Sequence, residues 1–327
     1  MVSGTSGYWK FQTRCACIYC HSAELGKVSM HLPSTNVLIQ VIVVGLLTGG
    51  VYALMAAGLT LIFGVMRVIN VAHGAFLVLS AYIAYWLFTS FGLDPLLSVI
   101  VSVPVLFLLG MFFQRYGLAR LKNEPGLVVL LTFSLALVLE GLMGTLWQST
   151  GRSIRTWYTS EVLIVPLSEF NLRLPFVRLA GFGLAVIALA ALYLLLARTN
   201  LGRAIRATIQ NRTAAQLVGV NVASIQARTF GIGLATVAAG GALFSAIWTF
   251  NASSHEEWIA KMLSVIVLGG MGSLPGAFVA ALIMGVAEAV AAVTMTSYIS
   301  PIVFYLILFL TLTFRPEGLM GSRVREG

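Results

Sequence analysis

Apolar residues recur along this chain in long, nearly unbroken runs, with charged residues confined mostly to the short stretches between them. The runs cover 37–65, 72–91, 96–113, 126–147, 176–197, 229–250, 259–271, 277–293 and 298–314. A membrane-crossing helix needs roughly 20 mostly apolar residues, fewer where it is broken or sheltered by protein. The pattern predicts an all-α, polytopic transmembrane bundle of eight or nine spans. The first run carries Gly49, Gly50 and Gly58 and is expected to be kinked or partly split. The run 259–271 is short enough to be re-entrant.

Composition agrees. Of 327 residues, 59% are hydrophobic and 9% charged, and the mean hydropathy is +0.95. A soluble domain carries roughly a quarter charged residues and must present polar surface to water. Lipid removes that demand. The net charge of +9 sits in loops between apolar runs, where orientation signals belong, and no basic-aromatic patch suggests nucleic acid.

With nine spans, one face receives Arg67, Arg115, Arg120, Lys122, Arg198, Arg203, Arg206, Arg212, Arg228, Arg315, Arg323 and Arg325. The other receives Arg152, Arg155, Arg173, Arg178 and Lys261, with Lys10, Arg14 and Lys27 before the first run. Twelve against eight places the first face in the cytoplasm, with the N-terminus outside and the C-terminus inside. The outer loop 148–175 mixes signs. The inner loop 198–228 has five arginines and no acid. Helical spacing of Ala204, Ile205, Thr208, Ile209, Ala215 and Val218 predicts one or two short amphipathic helices there.

Cysteine occurs only at Cys15, Cys17 and Cys20, so disulfides do not hold the membrane body together. Cys17, Cys20 and His21 match the C-x-x-C-H haem-attachment pattern. A short match without an axial partner or a surrounding domain carries little, and neither haem nor zinc is expected. Residues 1–29 read as a polar extension ahead of a native start at Met30. Residues 30–321 read as the membrane domain and 322–327 as a cytoplasmic tail.

No G-x-x-x-x-G-K-[ST] phosphate loop is present; the Gly26-Lys27 pair has His21 where that motif needs glycine. No serine elbow or zinc pair appears either. The chain is expected to be no enzyme, to need no cofactor or metal, and to leave any ATP hydrolysis to another chain.

Thr213-Ala214-Ala215-Gln216-Leu217-Val218-Gly219 resembles the E-A-A-x-x-x-G loop of ATP-binding-cassette importer permeases, with Thr213 in place of the glutamate and no I-x-L-P downstream. Gly58-Leu59-Thr60-Leu61-Ile62-Phe63-Gly64-Val65-Met66-Arg67-Val68-Ile69-Asn70-Val71-Ala72-His73-Gly74-Ala75-Phe76 resembles the opening signature of the Liv-type branched-chain amino-acid permeases. Leu268-Gly269-Gly270-Met271-Gly272-Ser273-Leu274-Pro275-Gly276-Ala277 is similar to that family's glycine-rich loop, and Arg315-Pro316-Glu317-Gly318-Leu319-Met320-Gly321 also fits. The resemblance runs over 37–321. It implies the permease subunit of a bacterial inner-membrane importer with a second permease, cytoplasmic ATP-binding subunits, an extracytoplasmic substrate-binding protein and a small-molecule substrate. Urea and short-amide permeases share the signature.

Coupling to the ATPase is expected at Arg203, Arg206, Thr213, Ala214, Ala215 and Gly219, with Gly219 ending the helix and Ala215 on the docking face. Gly269, Gly270, Gly272 and Pro275 predict either a helix break near substrate or a tight turn. Asn70 and His73, at the cytoplasmic end of the first hairpin, are gating candidates, with Asn70 as helix cap the plainer alternative. Glu140 and Glu288 lie inside apolar runs and are pathway candidates, because isolated charge in lipid is costly; a hydrogen-bonded packing acid is the plainer alternative. Trp147, Trp248, Trp258 and Tyr298 read as interface belts or packing. The rival class is a stand-alone secondary transporter or channel using Glu140 or Glu288 as a proton relay.

Overall fold

A computed structural model of the chain describes residues 34–121, 124–166, 171–295 and 300–321. The expectations for the extension 1–29, its cysteines, Tyr298 and the tail 322–327 lie outside the described residues. The helices are α1 (Thr35–Met66), α2 (His73–Phe91), α3 (Pro95–Tyr116), α4 (Pro125–Trp147), α5 (Phe176–Arg198), α6 (Asn200–Gln210), α7 (Arg212–Leu217), α8 (Val222–Ile247), α9 (His255–Gly269), α10 (Leu274–Thr294) and α11 (Ile302–Phe314). Among the described residues seven helices are long and apolar enough to cross a membrane, namely α1 to α5, α8 and α10, and α11 is a shorter apolar one. The chain is an all-α polytopic membrane protein. To the helices is added an antiparallel hairpin in the 148–175 loop, β1 (Val162–Pro166) with β2 (Asn171–Pro175). Its first strand is a β-branched, apolar segment that favours extended backbone.

α1 and α8 form the centre, and glycine explains how they meet. A Cβ on Gly58 would lie 2.2 Å from the Gly233 carbonyl oxygen, and one on Gly240 would lie 2.7 Å from Met55 Cγ. Residues 55 and 58 of α1 thus face 240 and 233 of α8, so the two helices run antiparallel. Gly45 and Gly49 likewise admit the backbone of α10 at residues 281–286. Small residues let membrane helices approach closely enough for dispersion to hold them, since lipid supplies no hydrophobic drive between them. Glycine in the first run therefore serves packing. α1 is a single helix of 32 residues, not a split one.

The pattern of neighbours repeats. α1 packs on α10 as α8 packs on α3, α2 and α9 touch each other, and α4 and α11 flank α2 and α9. The sets α1–α4 and α8–α11 therefore resemble one another in opposite sense, as in transporters built from inverted repeats. Where the sets meet, the starts of α2 and α9 touch: a Cβ on Gly74 would lie 2.5 Å from the His255 carbonyl oxygen. Both starts are deep. His73 Nε2 contacts the Met55 carbonyl oxygen at 3.2 Å, and Met55 is eleven residues, or about 16 Å, from the end of α1, roughly half a bilayer core. His73 therefore does not sit at a surface. Arg67, in left-handed backbone (φ 54°), turns the chain so that residues 67–72 climb back into the bundle. Asn70 does not cap α2: Ala72 is the N-cap without a side-chain bond, and both polar atoms of buried Asn70 lack a partner.

Exposed apolar surface, suited to lipid, is supplied by α3, α4, α5 and α11 through Ile100, Leu108, Phe112, Leu130, Ile187 and Phe309.

Candidate functional site

α9 brings the charged chemistry together. It begins His255-Glu256-Glu257, acids suited to the positive end of a helix dipole. Four residues after Glu257 comes Lys261, on the same helical face. Lys261 Nζ lies 2.9 Å from Glu257 Oε1 and 3.0 Å from Glu288 Oε1 of α10. The Tyr52 hydroxyl of α1 donates to the other Glu288 oxygen. The ammonium also sits 4.7 Å from the Trp258 ring centre and 5.5 Å from that of Phe304. Tyr52 stacks on Trp248 at 5.8 Å and meets Trp258 and Phe304 edge-on at 5.7 Å. Three charges and an aromatic box thus hold one another at the depth of Tyr52. Fourteen residues, or about 21 Å, separate Tyr52 from the end of α1.

Lys261 is 6% exposed. It belongs to this interior centre and not to the outer loops with which its charge is grouped above. Buried ion pairs contribute little net stability, because desolvation offsets attraction. Retaining one at bilayer depth is therefore a functional signature. One turn before Tyr52, Thr48 accepts a bond from Arg178 of α5 at 3.3 Å, so Arg178 also turns inward.

Of the pathway candidates, Glu288 is in this centre. Glu140 of α4 lies 4.0 Å from His255 Nε2 at the start of α9. Glu256 is exposed and the Glu257 side chain is 49% exposed; charges exposed on one chain at bilayer depth must face water or a partner, not lipid. Asn70 and His73 lie at the meeting point of α2 and α9. Trp258 and Trp248 pack around Tyr52 and form no belt.

The glycine-rich stretch is a tight turn. α9 ends at Gly269, Gly270 and Gly272 take φ of +98° and +88°, and the Ser273 hydroxyl caps α10, which has Pro275 in its first turn. Leu319 N and Met320 N bond to the carbonyl oxygens of Leu268 and Gly269 at 2.7 and 3.1 Å. The turn is thereby stitched to the 315–321 segment, far from the charged centre.

The 198–228 stretch folds as α6 and α7 before α8 begins, and α8 includes Arg228. Thr199 and Asn211 cap the two short helices, accepting from Gly202 N at 3.0 Å and Ala214 N at 2.9 Å. Arg203 donates to Asn200 and Arg206 to the Leu196 carbonyl. Arg212 donates to the Val65 carbonyl oxygen at 2.5 Å, tying α7 to the end of α1. Burial and then the neighbouring Arg67 hold its guanidinium below the usual arginine range. Gly219, at φ +85°, ends α7, and Val220 N reaches back to the Ala215 carbonyl oxygen at 3.0 Å, a Schellman closure. Ala215 is 2% exposed and packs inward, so it is not on a docking face; Leu217 and Val218, at 85% and 78%, form the exposed tip. Thr213 and Ala214 are exposed beside it. Between this tip and the bundle lies a cavity of about 570 Å³ lined by Gln114, Arg212, Gln216, Gly219 and Gln226.

Lys261, Tyr52, Glu257, His255 and Glu256 escape a reading of apolar runs alone. The signal for them is present: Lys261 stands inside the run 259–271, and Glu257 precedes it by one helical turn.

Residues 41–312 match the family described as branched-chain amino acid transport system / permease component. The high-affinity branched-chain amino acid transport system permease protein BraD of Pseudomonas aeruginosa is 29% identical, over 89% of this chain and 98% of that protein. The corresponding LivH of Escherichia coli is 24% identical over 85% and 93%. The fructose import permease protein FrcC of Rhizobium meliloti is 28% identical over 80% and 71%. No solved structure matches the chain.

Proposed function

Because the chain belongs to the family of branched-chain amino acid transport system permease components, we propose that it is the membrane subunit of an ATP-driven importer for branched-chain amino acids, in a bacterial inner membrane. The observation that carries the substrate class is the Glu257–Lys261–Glu288 centre at bilayer depth. A zwitterion needs both signs of charge along its way, whereas a sugar, as in the name of the fructose relative, needs neutral hydrogen-bonding groups. The aromatic box of Tyr52, Trp258 and Phe304 beside it suits an aliphatic side chain.

Residues 30–321 act as one permease domain, with α9 and α11 as short spans completing nine crossings. The α6–α7 end lies in the cytoplasm and the β-hairpin outside. The second permease faces α9 and Glu140 across the substrate path, and a binding protein docks on the hairpin side. The Leu217–Val218 tip enters a groove of the cytoplasmic ATPase, while Arg203, Arg206, Thr213 and Ala214 surround it. ATP-driven closure of the ATPases moves this loop, and Arg212 passes the movement to the end of α1, which carries Tyr52. Asn70 and His73 order the gate where α2 and α9 meet.

The complete transporter, reconstituted in vesicles, accumulates leucine with ATP, and excess fructose does not reduce that uptake. Competition by fructose would move the chain to the sugar side of the family. Orientation is tested with single cysteines in a background lacking the native three. Ser160→Cys reacts with an impermeant maleimide on intact cells, and Val218→Cys only after permeabilisation; the reverse pattern inverts the topology. Val218, 78% exposed, is open to the reagent on its own side.

A further inference from the structure

The ligand atoms of Glu140, His255 and Glu256 all lie within 4.8 Å of one another. His255 is buried, and its Nδ1 lies 3.1 Å from the Ala252 carbonyl oxygen. A carbonyl only accepts, so Nδ1 carries the proton and Nε2 of the neutral ring is a bare acceptor. Nε2 faces Glu140 Oε2 at 4.0 Å, beyond hydrogen-bond reach. While the ring is neutral, these two acceptors repel unless a cationic donor stands between them. The Glu256 carboxylate, at the exposed lip, adds a third acceptor, and among the described residues the nearby cation, Lys261, is held by Glu257 and Glu288.

We infer that Glu140, His255 and Glu256 form a three-acceptor seat for the primary ammonium group of the transported amino acid, an inference that rests on the amino-acid reading above. An ammonium offers three N–H donors in a tetrahedral fan. With N···O bonds of about 2.9 Å its three acceptors stand about 4.7 Å apart. A zinc ion, with bonds of about 2.0–2.1 Å, would draw the same atoms to about 3.4 Å. Glu140 and His255 stand 4.0 Å apart and all three atoms lie within 4.8 Å, wider than a zinc ion sets them and within the span of an ammonium. The Ala252 carbonyl fixes the ring so that Nε2 stays an acceptor, as an outer-shell carbonyl does for a ligating histidine. The seat adjoins the charged centre through the consecutive Glu256 and Glu257, so a zwitterion seated there lies beside the Lys261 network.

The test uses the complete permease–ATPase complex in nanodiscs and saturation-transfer NMR, which detects weak, transient ligands. The probes are leucine, isoamylamine, which keeps the ammonium and lacks the carboxylate, and 4-methylpentanoate, which lacks the ammonium. Isoamylamine competes with leucine and 4-methylpentanoate does not. Glu140→Gln and Glu256→Gln each weaken leucine binding at least ten-fold, while both variants assemble with the ATPase at wild-type yield. If Glu140→Gln does not assemble, Glu256→Gln, on the exposed lip, carries the test. Equal competition by 4-methylpentanoate, wild-type binding by the Gln variants, or tight Zn²⁺ retention that isoamylamine fails to displace would overturn the seat. A wild-type transporter that accumulates no leucine with ATP is instead a failure of the transport reading. Wild-type accumulation with unaffected Gln variants is a failure of the seat alone.

Discussion

Lys261→Met abolishes transport and destabilises the bundle. The substitution leaves Glu257 and Glu288 without the ammonium that now lies 2.9 and 3.0 Å from them. Breaking a buried pair by removing one partner costs about 3–5 kcal/mol, because a charge is left uncompensated. Thermal unfolding of the purified chain in detergent should move down accordingly. Glu288→Gln in the same chain removes that orphaned charge and keeps an acceptor for the Tyr52 hydroxyl. The double variant therefore recovers most of the unfolding temperature. It does not recover uptake, since the centre has lost its ammonium and keeps only the Glu257 carboxylate. Recovery of uptake along with stability would make the pair a packing device.

Gly219→Val disconnects the chain from its ATPase. No atom lies within 4 Å of where a Cβ would stand, so the effect is not a clash. It comes from the backbone: φ is +85°, a region that a β-branched residue adopts only as an outlier. Holding such a residue there costs about 1–3 kcal/mol. The chain relieves that strain by re-aiming the loop and with it the Leu217–Val218 tip. Gly219→Asn, which tolerates left-handed backbone, keeps association. Leu217→Asp loses association with no change in unfolding temperature, because the side chain is 85% exposed and packs on little. Arg155→Ala is the control; Arg152 is unsuitable, since it bonds to Tyr85 and Trp147. The measurement is ATPase co-purified at matched membrane levels. Wild-type co-purification by Gly219→Val and Leu217→Asp would leave this loop only an orientation signal.

The spans were legible because lipid imposes a composition that no other solvent allows. α1 to α5, α8 and α10 all fall on apolar runs. The starts of α2 and α9 were harder to read. Polar residues at a helix start ordinarily mark a surface, yet here His73 and His255 meet inside the bundle, and only tertiary packing of Gly74 against α9 reveals that. Glu140 and Glu288 stood out as acids in apolar runs. Their partners did not, because His255, Glu256 and Glu257 precede the run 259–271 and read as loop. Gly219 was legible from local chemistry as a helix end. The inward turn of Ala215 was not, since alanine suits either face of a short helix. The glycines of α1 suggested a break, but what they admit is the backbone of α8 and α10, and which backbone approaches is not written in local sequence.

The claim at the centre of this account is that the chain is a passive membrane path energised by a separate ATPase. Leucine uptake into vesicles tests it most directly, with the purified chain alone under a proton gradient and with its ATPase, second permease and binding protein under ATP. The account predicts no accumulation and no ATP hydrolysis by the chain alone, and accumulation only in the complete system with ATP. Robust uptake by the chain alone, driven by the proton gradient, would contradict it and make Glu140 or Glu288 a proton relay.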